Sequence, residues 1–298
     1  VAAGSTVAAS PSPAVGGCTV ASGHGSRFSV GQVVLINGEP RVITAVATDA
    51  ITWSPDLSAA PAAGDVIANT FTHFRAEAQT QSLTIETAYY ETGGTEAQSR
   101  SRGVVGQCEW SAEMGKLATL AFAGRSSAID LPQDLSISVT EAADDMGASI
   151  RWDGIAYLFA AATTTAPSHV CVTSAKIAVP NTWEMIRCGS AENTVAAAVA
   201  TGGRRDPVTV EMVLRFDADF YTGFTADTVY RALLFTRQGS GSSQRVVGWH
   251  FPALRMMGVP KQTEQNGLIY LTVMFVALQS TITSGSDKAR SPVSLFLG

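Results

Sequence analysis

The sequence predicts a mainly β protein: an antiparallel β-sandwich or barrel with one flanking helix and a small inserted β-module. Three observations carry that reading. Apolar and polar residues alternate over most of the chain, which is the period of a strand with one side in a core. Asn37-Gly38, the strongest short hairpin signal, sits between two such runs. Helical spacing is confined to one segment, Thr225 to Leu234.

In chain order, residues 1–27 open with VAAGSTVAASPSPAVGG, small and polar with two prolines, and read as an N-terminal arm. Residues 28–70 read as a small barrel-like module of four short strands, either an insertion or an appendage. Its strands are Phe28 to Ile36, Arg41 to Val46, Ile51 to Trp53 and Asp65 to Ile67. Residues 71–283 read as the sandwich core. Leu83, Ile85 and Tyr89 share one side of a strand, and Leu135, Ile137 and Val139 do the same. In Val208 to Phe216 the even positions are all apolar, so one face belongs to a core. Leu268 to Leu278 is apolar on both faces, which predicts a central strand covered on two sides. Thr225 is the expected helix cap, with Val229, Ala232 and Leu233 at helical spacing. Trp110 to Lys116 reads as a short turn interrupted by Gly115. Long Gly/Ser and charged loops are expected at Glu91 to Gly103, Gly202 to Arg205 and Gly239 to Ser243. Residues 284–298 read as a polar C-terminal tail.

Composition narrows the function classes. Of 298 residues 46% are hydrophobic, which excludes a disordered chain. Only 15% are charged, so much of the surface is expected to be covered by other subunits. A net charge of −5 argues against a basic nucleic-acid grip. No run approaches the roughly 20 apolar residues of a membrane helix, so no membrane insertion is expected. The start at Val1 predicts missing upstream residues, and no signal peptide is visible there.

The residues that carry chemistry do not assemble into an active site, and no enzyme is expected. His24, His73, His169 and His250 lack metal spacing. Cys18, Cys108, Cys171 and Cys188 read as buried free thiols, although a Cys171–Cys188 bridge fits neighbouring strands. His169 and Cys171 share a strand face but lack further ligands. Cys108 sits beside Glu109, the wrong neighbour for a nucleophilic thiol. Gly23-His24-Gly25 lacks the helix of a phosphate cradle. Gly239 to Ser243 lacks a hydrolase elbow, and Glu141 with Asp144 and Asp145 reads as a solvated turn. Arg204, Arg205 and Asp206 suit an intersubunit ion pair. No cofactor or metal is expected.

Four stretches resemble the tail tube proteins of long-tailed bacteriophages. They are SRFSVGQVVLINGEPRVITAVATDAITWSPDLSAAPAAGDVI; SLTIETAYYE with RGVVGQCEW and LATLAFAG; GRRDPVTVE; and WHFPALRMM with NGLIYLTVMF. Together they cover most of residues 28–280, and the opening of the family pattern is missing. The resemblance implies a β-sandwich subunit that forms hexameric rings, stacked through N-terminal arms and long loops into a tube. It further implies that genome DNA passes through without specific binding. The implied partners are further copies, the tape-measure protein, and terminator and baseplate or tip proteins. The implied location is the virion tail, after synthesis in the bacterial cytoplasm.

On that reading Glu86, Glu109 and Glu211 are the candidate lumen-facing residues, since acidic side chains keep a polyanion sliding. Glu91, Gly93, Gly94, Glu96, Arg100 and Arg102 form the candidate inter-ring loop, and the 28–70 module decorates the outside or reinforces stacking. Two other readings compete. One is a ring-forming terminator or minor tail protein. The other is a carbohydrate- or surface-binding β-protein with Trp53, Trp152, Trp183 and Trp249 as stacking platforms, although core tryptophans are commoner. A hydrolase is the weakest reading.

Overall fold

In a computed structural model the chain is mainly β, with antiparallel pairing throughout. The structure describes residues 4–74, 83–90, 96–125, 128–130, 151–163, 165, 167, 169–180, 183–185, 198–200, 207–216, 218–239, 245–280 and 287–298.

The N-terminal unit is a six-stranded sheet: β1 (Ser5–Thr6), β2 (Gly17–Thr19), β3 (Val33–Ile36), β4 (Glu39–Ala47), β5 (Ala50–Ser54) and β6 (Val66–Asn69). The strands run in the order β1-β6-β3-β4-β5-β2, and a bridge between Val7 and Val20 joins the two ends into a small barrel. Asn37 (φ 51°) and Gly38 (φ 79°) are both left-handed, the requirement of the tight turn that pairs Ile36 with Glu39. Val34, Ile36, Ile43, Ile51, Trp53 and Ile67 fill the centre.

The expected N-terminal arm is corrected here. Residues 4–27 are not separate from the module, because β1 and β2 cover the edges of β6 and β5. Left bare, those edges would expose unpaired N–H and C=O groups. Val7, Cys18 and Val20 join the module core, three apolar residues hidden in a Ser/Ala/Pro-rich stretch.

The larger unit contains β7 (Phe71–Phe74), β8 (Leu83–Tyr90), β9 (Glu96–Glu113), β10 (Thr119–Arg125), β11 (Ala128–Asp130), β12 (Ile155–Ala160) and β13 (His169–Val179). It continues with β14 (Trp183–Met185), β15 (Ala198–Ala200), β16 (Val208–Arg215), α1 (Ala218–Thr225), β17 (Val229–Gln238) and β18 (Arg245–Met256). It ends with β19 (Lys261–Gln265), β20 (Leu268–Ala277), α2 (Asp287–Arg290) and β21 (Ser294–Leu297). β20, β16, β13, β12, β17 and β18 pair in a circle, since β18 returns to β20 through Leu254–Met256. Alternate residues of this barrel, with Trp110 and Trp152, make one core. The rings of Trp110 and Trp152 meet edge to face at 5.3 Å, and Trp249 lies 6.0 Å from Trp110.

A second layer joins the units. Tyr157, Phe159, Leu233, Phe235 and Val246, outward on the barrel, pack against Val33, Leu35 and Val42 of the module. This burial on both faces explains two differences from the sequence reading. β17 carries barrel residues at Tyr230, Ala232 and Leu234 and module-facing residues at Leu233 and Phe235, so its run has no clean period of two. The helix expected over Thr225 to Leu234 is instead this strand from Val229 onward. The true helix is α1, with Thr225 as its last residue rather than its cap. Asp227, left-handed at φ 53°, lets Thr228 N–H donate to Gly223 C=O at 2.9 Å, the wrap that closes a helix.

β20 is covered on one face only. Leu271, Val273 and Phe275 are buried while Leu268, Ile269 and Met274 are exposed, which corrects the expected two-sided burial. The turn expected over Trp110 to Lys116 begins later, because β9 runs to Glu113. The C-terminal tail is also corrected. β21 pairs with both β18 and β7, and Phe296 is fully buried. The expected strands Val208 to Phe216 and Leu83 to Tyr90 are β16 and β8. The strand expected around Leu135, Ile137 and Val139 lies outside the described residues.

Candidate assembly surface

The two sides of the barrel wall differ. β12, β17 and β18 are covered by the module, whereas among the described residues no element packs on the outer face of β13, β16, β20 and the Cys108–Glu113 end of β9. Alternation places the residues: Trp110 and Ala112 turn inward on β9, leaving Glu109 and Ser111 outward. Glu109 Oε1 lies 3.1 Å from Lys176 Nζ on the neighbouring β13. In register Lys176 sits between Ser111 and Glu211, and Glu211 is opposite Met274, which is 44% exposed. Ser111 Oγ is 2.7 Å from Thr119 Oγ1 of β10. The result is a shallow, mixed-charge groove over Ser111, Thr119, Ser174, Lys176 and Glu211. Both members of the Glu109–Lys176 pair are well exposed, so the pair adds little stability.

Beside this face the sheet ends at an open edge. Among the described residues β10 pairs with β9 alone, leaving its other side without a strand. Its run TLAFAGR has no lysine or proline to deter pairing and a single charge, Arg125, at its last position, and Leu120 and Phe122 are 46% and 72% exposed. Leu117, just before it, is exposed too. At the far end of the sheet β7 pairs only with β21 among the described residues, and Phe71 and Phe74 are exposed. By contrast β19, KQTEQ, is guarded by charge.

The predicted site residues fare unequally. Glu109 and Glu211 share the bare face, with Lys176, which sequence reasoning missed, between them. Alternation along β13 marks Lys176 as outward; its strand neighbours were not readable. Glu86 lies on β8 opposite Arg100 in register. The long loop expected over Glu91 to Gly103 is corrected: Glu96, Arg100 and Arg102 belong to β9, paired with β8 or β11, so only residues 91–95 connect the strands. Glu91, Gly93 and Gly94 lie outside the described residues, as do Arg204, Arg205 and Asp206.

Other motifs have local explanations. The N–H groups of Gly23 and Gly25 donate to the Asp49 carboxylate at 3.0 and 2.9 Å, which holds Asp49 below the usual carboxylate range. That carboxylate already occupies the glycine pair. Burial pushes the Cys18 thiol up to about 11 and raises Cys108, so neither is a reactive thiolate. Cys171 is an exposed free thiol, and Cys188 lies outside the described residues. His169 stacks on Tyr157 at 4.6 Å and approaches Glu39. Among the described residues no group of three His, Cys, Asp or Glu is placed to hold a metal. No described helix is long and apolar enough to cross a membrane.

Trp53, Trp152 and Trp249 are 3%, 1% and 5% exposed, so these three are core residues and not stacking platforms. Trp183 lies on β14, whose side chains are outside the description. Compared with known protein families and with curated proteins, the chain matches none.

Proposed function

We propose that this chain is a structural virion protein that polymerises as stacked hexameric rings into a bacteriophage tail tube. The observation that carries the reading is the unguarded apolar edge of β10 beside a bare, wide sheet face. An edge with exposed Leu120 and Phe122 pairs with another chain unless something blocks it, and its one charge, Arg125, stands at the strand's end, away from both. β10 and β7 are unlike edges, and unlike edges support head-to-tail contacts, which close into rings or extend into filaments. The four sequence stretches supply the specific identity of the assembly.

In the tube the face carrying Glu109 and Glu211, with Glu86, lines the lumen and lets genome DNA slide without binding. Lys176 neutralises Glu109 locally, while Glu211 has no ion-pair partner among the described residues. Its partners are further copies, the tape-measure protein, and terminator and baseplate or tip proteins. Its place is the virion tail. A ring-forming terminator or minor tail protein is the second reading, supported by the same edge. The carbohydrate-binding reading loses three of its four stacking candidates with the burial of Trp53, Trp152 and Trp249.

Electron micrographs of the purified protein at high concentration test the proposal. Long hollow tubes with an axial ring repeat are expected. Isolated rings would move the assignment to the terminator reading, and persistent monomers would overturn assembly altogether.

A further inference from the structure

A cavity of about 100 Å³ lies where the module, the barrel and α2 meet. One water needs only about 10–15 Å³ of such space. The module contributes Thr44 and Ser54, the barrel Arg231 and His250, and α2 Lys288; among the described residues no acidic side chain lines the cavity. Arg231 stands where β17 bulges against β18, between Tyr230 and Ala232, and its side chain crosses to the module. Its Nη1 donates to Ser54 Oγ at 3.2 Å. Lys288 Nζ donates to Ser29 Oγ at 3.0 Å. Among the described residues neither cation has a carboxylate partner, although six other basic side chains do.

Both groups are half-buried, and desolvation lowers the pKa of each. A charge taken from water without a counter-charge is costly, so a site that keeps two of them is unusual. His250 faces the same space and is otherwise enclosed, with Nδ1 3.4 Å from Ser294 Oγ. Desolvation, then the charge of Arg231, push its imidazole down to about 3, so it adds a neutral polar group rather than a third charge.

We propose that this cavity binds a small dianionic oxyanion of the phosphate class, held by Arg231 and Lys288 with the hydroxyls of Ser54 and Thr44 alongside. Two positive charges match two negative ones. The planar guanidinium grips two oxygens of a tetrahedral anion at once, and the ammonium supplies a compact point charge. Bound there, the anion links the module, the barrel and the C-terminal segment, three parts distant in sequence. The inference does not depend on the assembly reading.

Thermal unfolding of the full chain in inorganic phosphate, at constant ionic strength against chloride, tests it. The expected result is a rise in Tm of about 2–4 °C by about 20 mM phosphate, growing with the logarithm of concentration. Arg231→Met and Lys288→Met remove an unpaired charge while keeping the apolar stem. Each is expected to be at least as stable as the parent without phosphate and to lose most of the rise. An equal rise in both variants, or none in the parent, overturns the site. Should either variant fail to fold, phosphorus NMR of the parent decides. Broadening of the phosphate signal that sulfate competes away supports the site, and an unbroadened signal refutes it.

Discussion

Glu39 sits at the centre of the contact between module and barrel. Its carboxylate accepts the Tyr157 hydroxyl, lies 3.1 Å from Arg237 Nη1, and is 3.8 Å from both Arg41 and His169. Burial, then this hydrogen bond, push the Tyr157 phenol up to about 12. Arg41, only 3% exposed and stacked over Tyr157 at 5.1 Å, has no other carboxylate partner among the described residues. Glu39→Gln keeps an acceptor for Tyr157 but strands that guanidinium. The expected loss is about 2–3 kcal/mol by denaturant unfolding, at or below the roughly 3–5 kcal/mol for a fully buried pair because Glu39 is partly exposed; an unchanged midpoint would show that Arg41 is solvated. His250 sets a pH limit. Its folded pKa is depressed to about 3, so between about 3 and its ordinary 6.5 the unfolded chain binds a proton that the folded chain refuses. Stability is therefore fully present above 6.5 and falls as the pH drops below it. Asp49, Asp65 and Asp227, all held below their usual 3.8, act only further down. Unfolding at pH 7 and pH 5 is expected to show the decline in the parent and its absence in His250→Gln; equal slopes would remove His250 as the cause.

At the scale of elements, the turn over Asn37-Gly38 was legible because its chemistry is local: both residues must adopt positive φ, and few residues do so without strain. Gly38→Ala, at φ 79°, is expected to cost about 1 kcal/mol and to leave the denaturant slope unchanged. No loss would mean that the turn relaxes to another type. β16 was legible for a similar reason, with one face in the barrel core and one in solvent. β17 was not, because what fixes it is the module lying on its second face, a contact made by residues nearly 200 positions away. Val229, Ala232 and Leu233 fit a helix as well as a doubly buried strand. The reverse error at β20 has the same origin. Its apolar outer residues, Leu268 and Met274, signalled burial that the subunit alone does not supply.

At the scale of the whole molecule, the fold class was legible and the connectivity was not. Polar, proline-containing ends read as an arm and a tail, yet each completes a sheet: β1 and β2 close the module, and β21 carries the barrel sheet on to β7. Gly31, at φ 83°, permits the tail to dock, since a Cβ there would fall 2.8 Å from Ala289 Cα. With residues 4–27 and β21 folded in, the sheet face and its β10 edge are the described surface that invites another copy. Of the candidate lumen residues, alternation placed Glu109 and Glu211 on one face. It gave no sign of Lys176 between them or of the open β10 edge, which depend on strand order.

The assembly claim is tested most directly by comparing the parent with Leu120→Lys/Phe122→Lys in sedimentation and electron micrographs at matched concentration. Both side chains are exposed in the subunit, so the variant is expected to fold with the parent's circular dichroism and unfolding midpoint. The account predicts tubes from the parent and folded monomers from the variant, because charge on the β10 edge blocks strand pairing. Tubes formed equally by both proteins, or a parent that stays monomeric throughout, would contradict it.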